Sequence, residues 1–212
     1  MKFRRKSAPS DATLDEGAAS SSEEQEPAQG PFDVEDLPDD GVTRVDLGSL
    51  ILTPEPGREL RLQVDERTQE VQAVILTGTD GALELRAFSA PRNGDLWSTV
   101  RPQVGADMAR RGGTATEQEG PFGPELLCQV SMKNAEGQAG IQHSRIVGIN
   151  GSRWMLRATF LGRPAQDPES AAAWEATLRN TIVRRGDHAM PVGDPLPVDL
   201  PAEARRVNAS GT

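Results

Sequence analysis

His143 and His188 are the only imidazoles in the chain and Cys128 the only thiol. A zinc site draws three or four ligands from His, Cys and carboxylate at short spacings, and neither histidine has such neighbours. His143 stands between Gln142 and Ser144-Arg145, the setting of a hydrogen-bonded surface histidine. Cys128 lies in the apolar run Leu126-Leu127-Cys128-Gln129-Val130 and reads as a small buried hydrophobe. A nucleophilic thiol needs electropositive, accessible surroundings. A single cysteine leaves no intrachain disulfide. Serine triads are assembled in space, but no Gly-x-Ser-x-Gly elbow nominates a serine here. The glycine clusters read as turns. Arg111-Gly112-Gly113-Thr114 follows a helical pattern, whereas a phosphate loop precedes one and ends Gly-Lys-Ser/Thr. Gly120-Pro121-Phe122-Gly123-Pro124 is stiffened by two prolines and lacks a cation. The carboxylate pairs Asp39-Asp40 and Asp65-Glu66 fall in turn or linker sequence and do not read as a glycosidase pair. No catalytic, cofactor-binding or metal-binding residue is assigned, and no cofactor is expected.

Arginine is the residue type that remains. Arg61, Arg86, Arg145, Arg153 and Arg157 occupy positions expected to face solvent on strands, with Met155 among them. Together with Phe122 in its proline-bounded turn they form a candidate interaction surface: an apolar patch rimmed by arginine. Glu59 and Glu84 fall on the same faces, so ordinary cross-strand ion pairing is the competing account.

The elements that would position these residues follow from periodicity. Leu60, Leu62 and Val64 alternate with Glu59, Arg61 and Gln63, the pattern of a half-buried strand. Val71 to Thr77 is a more apolar strand, and Asp80-Gly81 turns the chain into alternating Leu83, Leu85 and Ala87. Strand patterns recur over 114–119, 126–132, 141–149 and 153–160. Asn150-Gly151 predicts a tight hairpin with positive φ at both turn positions. On its second strand Trp154, Leu156, Ala158 and Phe160 face one way, and Arg153, Met155, Arg157 and Thr159 the other. Two helices interrupt the strands. The first is expected from Asp95 to Arg111, with Trp97, Val100, Val104 and Met108 on one face and a bend at Pro102. The second is capped by Asp167 and Pro168, with Trp174, Leu178 and Ile182 as its apolar stripe and Arg184, Arg185 and Gly186 at its end. Several strands, a helix, four strands and a helix, with hairpin links, predict an α+β fold: a mainly antiparallel sheet with two principal helices packed on it.

Charge divides the chain unevenly. Residues 1–40 hold four basic residues (Lys2, Arg4, Arg5, Lys6) against eleven acidic ones, a net of −7 within the total of −9. Residues 41–212 hold 19 basic and 21 acidic, a net of −2. The expected organisation is a disordered acidic N-terminal segment over 1–40, a single α+β domain over 41–186 and a proline-rich extended tail over 187–212. Within 1–40, Phe32, Val34 and Leu37 are the candidates for a short docking element, against a solvated linker. Thr13 and Ser20 to Ser22 stand beside acidic residues and are conceivable phosphorylation sites. Along the tail, Met190, Val192, Leu196, Val198 and Leu200 are numerous enough to hold it against the domain. A nearly neutral domain carries no strong nucleic-acid footprint. No apolar run spans a membrane, and no apolar segment follows the basic start, so a soluble cytoplasmic protein is expected.

Several strings resemble motifs of an actinobacterial family, the domain-of-unknown-function 3710 family. They are Arg44-Val45-Asp46-Leu47-Gly48, Ala87-Phe88-Ser89-Ala90-Pro91-Arg92, Glu119 through Leu126, Gly151-Ser152-Arg153-Trp154-Met155-Leu156-Arg157 and Arg179-Asn180-Thr181-Ile182-Val183. The resemblance covers about residues 31–201. Twenty arginines against three lysines suit a GC-rich genome, and Pro102 departs from the family pattern. The resemblance transfers no activity onto residues. Its strand–helix layout is similar to the Mog1/PsbP-like sandwiches, which implies binding or assembly more than catalysis. The leading expectation is therefore a non-catalytic protein-binding or adaptor module with a protein partner. The alternatives are a small-molecule-binding protein or hydrolase-like enzyme, and, more weakly, nucleic-acid binding through an arginine-rich sheet face. Geometry separates the first two. The adaptor needs an open arginine-rimmed surface and is overturned by a deep pocket lined with converging polar groups. The small-molecule reading needs a concave pocket of about 300 Å³ or more holding His143 or several arginines.

Overall fold

A computed structural model describes residues 30–37, 40–133 and 137–199. The basic cluster, the phosphorylation candidates and Leu200 lie outside these residues. The described strands are β1 (Phe32–Asp33), β2 (Val45–Asp46), β3 (Leu50–Leu52), β4 (Glu59–Val64), β5 (Val71–Thr77) and β6 (Gly81–Ser89). After helix α1 (Leu96–Arg110) come β7 (Thr114–Gly120), β8 (Gly123–Lys133), β9 (Ala139–Asn150) and β10 (Trp154–Gly162). A 3-10 turn (Arg163–Ala165), helix α2 (Pro168–Arg179) and β11 (Ile182–Val183) follow.

The hairpin links produce the expected α+β architecture. Seven strands form an antiparallel sheet in the order β4-β5-β6-β10-β9-β8-β7. A small mixed sheet, β1-β11-β3-β2, has β1 parallel to β11 and the remaining pairs antiparallel. Alternation on the large sheet feeds two apolar layers. On one face Leu83, Leu85, Val147, Trp154, Leu156 and Phe160 pack under α2 and the small sheet, meeting Trp174, Leu178, Leu50 and Leu52. On the other face Leu126, Cys128, Ile146 and Met155 pack under α1, meeting Leu96, Trp97 and Val104. The order is helix, sheet, then helix with small sheet. Gly148 is obligatory in the α1 layer, because a Cβ there would overlap the Trp97 ring.

Two local expectations change. The second helix stops at Arg179, so Ile182, Arg184 and Arg185 are not its last turn. The β-branched run Thr181-Ile182-Val183 goes instead into β11, where Ile182 faces Ile51. The Asn150-Gly151 pair does not form the positive-φ turn, and neither residue has a positive φ. Asn150 pairs with Met155 as the last residue of β9, and Gly151 N–H donates to the Trp154 carbonyl at 2.8 Å. Asn150 is held there by α1: its side-chain oxygen accepts from Leu96 N and Trp97 N (3.1 and 3.2 Å), and its amide donates to Asp95 (2.8 Å).

Both flanking segments contribute to the packed structure. Phe32 pairs with Ile182, and the Asp33 carboxylate accepts from Ser152 Oγ (2.6 Å) and Trp154 Nε1 (3.0 Å), so the docking alternative describes this stretch. The proline-rich segment pairs along the end of β6, with Leu196 N–H donating to the Ala87 carbonyl at 2.8 Å and the Leu196 side chain 3% exposed. Met190 and Val198 pack beside it.

Candidate functional site

The candidate arginines separate onto the two faces of the large sheet. Arg61, Arg86 and Arg157 share the α1 face, where α1 itself lies over β7, β8 and β9. Along one row of that face, Arg61, Ile75, Glu84 and Thr159 are successive cross-strand neighbours. In another, Arg86 and Arg157 are directly opposed. Phe88, Ile75 and Leu161 are half-buried on the same face.

Two of the three arginines have carboxylate partners. Arg61 pairs with Glu59 at 2.8 Å, both exposed, and Arg86 Nε lies 3.1 Å from Glu84. Arg157 has no carboxylate within ion-pair distance among the described residues. Its guanidinium sits 5.3 Å from the centre of the Phe88 ring. Burial, and then the charge of Arg86, push its pKa below the ordinary arginine value, with Glu84 opposing at longer range. It stays protonated at neutral pH, as arginine does in proteins. The result is a half-buried cation facing another cation, with apolar surface around it.

Met155 and Arg145 do not face solvent as expected. Met155 is 1% exposed because α1 covers that half of the face. Arg145 is 7% exposed and points to the α2 face. There its Nη2 donates to Glu175 Oε1 at 2.5 Å and its Nε lies 3.4 Å from Glu125 Oε2, over the Phe160 ring. Gln118 Nε2 donates to the other Glu125 oxygen at 2.7 Å. Phe122 is also on this side, with the Arg179 guanidinium 4.8 Å from its ring centre. Arg153 is exposed in the β9–β10 turn.

Beside this charged cluster the α2 face opens into a cleft of about 410 Å³ between β7–β9 and the segment leading into α2. His143, Gln129, Gln118 and Arg145 line the sheet side, and Pro164, Ala165, Gln166 and Asp167 the other. Asp167 is committed elsewhere. It caps α2 through Glu169 N and accepts from Arg163, which holds its carboxyl below the usual aspartate range. The histidine named from sequence is thus in a cleft, but the amides around it had no sequence signal. Glu175 had one: it falls on the helix stripe of Ala171, Trp174 and Leu178, where a carboxylate demands a buried partner. Among the described residues no group of three His, Cys, Asp or Glu side chains is placed to hold a metal ion. No helix is long and apolar enough to cross a membrane.

Comparison with known proteins agrees with the local motifs. The family described as a protein of unknown function (DUF3710) matches residues 30–207, and the chain belongs to it. No curated protein matches. Among solved structures, a crystal structure from Bacteroides thetaiotaomicron VPI-5482 at 1.50 Å resolution is similar, with 9% identity and a TM-score of 0.39. The similarity covers 67% of this chain and 47% of that one, so the chain spans about half the length of that protein.

Proposed function

We propose that this member of the family is a non-catalytic protein-binding module, docking a carboxylate-bearing segment of a partner protein on the sheet face of Arg61, Arg86 and Arg157. The observation that carries this reading is Arg157. A half-buried guanidinium opposite another arginine is an unfavourable arrangement in the free protein. A partner carboxylate would relieve it with a charge-assisted, bidentate hydrogen bond of the kind arginine makes best. Phe88, Ile75 and Leu161 supply apolar area around that contact, matching the composition of interface centres. The Glu59–Arg61 and Glu84–Arg86 pairs leave one unmatched positive charge on this face, which favours a discrete carboxylate over the many phosphates of a duplex.

The test is an amide NMR titration of the full chain with a hexapeptide alternating glutamate and leucine. Shifts centred on Arg86, Phe88 and Arg157 that weaken with added salt are expected. Arg157→Gln should abolish them and Arg153→Gln, altering an exposed turn, should not. Unmoved β6 and β10 amides, or an Arg157→Gln protein that binds as the parent does, would refute the assignment.

A further inference from the structure

The cleft between β7–β9 and the start of α2 is independent of the arginine face, on the opposite side of the sheet, and we infer that it is a binding site for a small uncharged molecule rich in hydroxyl or amide groups. Its volume of about 410 Å³ falls in the range of ligand pockets. The chemistry of its lining selects the ligand class. Its formal charges are already matched: Arg145 by Glu125 and Glu175, and Asp167 by Arg163. An anion or cation would have to compete with those pairs. What the cleft offers instead is neutral hydrogen-bonding capacity. Gln118, Gln129 and Gln166 are exposed at the mouth of the cleft and His143 is half-buried. Among the described residues the side chains of Gln129, His143 and Gln166 have no protein hydrogen-bond partner, and Gln118 has spent an N–H on Glu125 while its carbonyl oxygen can still accept. Each amide presents both a donor and an acceptor, and the imidazole adds a ring N–H donor. Hydroxyl and amide groups satisfy that mixture without a charge. Leu127, Pro164 and Pro168 form apolar walls for the ligand's non-polar edge.

Adenosine and glucose serve as uncharged probes, one with a heterocyclic donor–acceptor edge besides its ribose hydroxyls and one with hydroxyls alone. Adenosine monophosphate is the charged counterpart. In the full chain, the expected result is saturable perturbation of the His143 ring protons and the Gln129 and Gln166 side-chain amides by at least one uncharged probe at millimolar concentration. His143→Ala and Gln166→Ala should each weaken that binding about tenfold or more, and Arg157→Gln should leave it unchanged. A response to adenosine alone assigns the heterocycle as the recognised part, and a response to glucose assigns the hydroxyls. No perturbation by either probe at about 10 mM, or tenfold tighter binding of the monophosphate than of adenosine, would overturn the inference. Because the arginine-face titration reads β6 and β10 amides, failure of either site is distinguishable from failure of the other.

Discussion

Arg145 and Arg157 differ by one position in the alternation of the sheet, and that parity decides what each can do. Arg145 is buried between Glu125 and Glu175, so deleting it leaves Glu125, 1% exposed, with only the Gln118 amide and Glu175 with only the more distant Arg179 at 3.6 Å. Breaking a buried pair by removing one partner typically costs about 3–5 kcal/mol. Arg145→Met should lose stability on that scale in urea unfolding, and a loss below about 1 kcal/mol would mean the cluster is already solvated. Arg157→Met is expected to behave oppositely. Methionine keeps an apolar stem against Phe88 and removes a like charge from opposite Arg86, an arrangement worth about 0.2–1 kcal/mol of destabilisation. The unfolding free energy from urea denaturation should hold or rise, whereas a fall of about 2 kcal/mol would make Arg157 structural. Sequence alternation placed both arginines on sheet faces but could not tell which face was wet. Each face has its own helix, and α1 covers only part of one of them.

Helix α1 is positioned by a residue whose sequence signal pointed elsewhere. Asn150 reads as a turn residue because asparagine tolerates positive φ. In the fold it is worth more as a cap, since α1 has orphan N–H groups at Leu96 and Trp97 within reach of its amide oxygen. Asn150→Ala should cost about 1–2 kcal/mol, the range of lost N-caps. It should also raise hydrogen exchange across the first turn of α1 more than across α2, and uniform exchange would contradict the capping role. The end of α2 is set by a related competition. Trp174, Leu178 and Ile182 continue a helical period, but the same Ile182 completes β11 beside β3, and local periodicity cannot see that competitor. The seven strands of the large sheet and both helix starts are legible because caps and alternation are local, whereas the short strands of the small sheet carry no such pattern. The cleft is not legible either, since its walls come from segments that no pattern links in sequence.

At the scale of the molecule, carboxylates outside the apolar core fasten distant segments together. Asp46 binds Arg184 through two 2.9 Å hydrogen bonds, joining β2 to the chain after β11. Asp80, in the β5–β6 turn, accepts from Ser170 at 2.7 Å and from Trp174, holding α2 over the sheet. Asp95 links α1 to Asn150 on β9. In each case the bound partner holds the carboxyl below its ordinary pKa: Arg184 for Asp46, Ser170 and then Trp174 for Asp80, and Ser98 and then Asn150 for Asp95. The unfolded chain, with aspartate near its usual value of about 3.9, takes up these protons first as pH falls. Their contribution to stability is therefore complete above about pH 5 and is lost as pH drops through the depressed folded values. The urea midpoint should be nearly flat from about pH 8 to 5 and decline below about 4. Asp46→Asn and Asp80→Asn should each lower the plateau and flatten the decline, because the substituted position no longer titrates. If stability instead fell between pH 7 and 5, these carboxylates would not govern it.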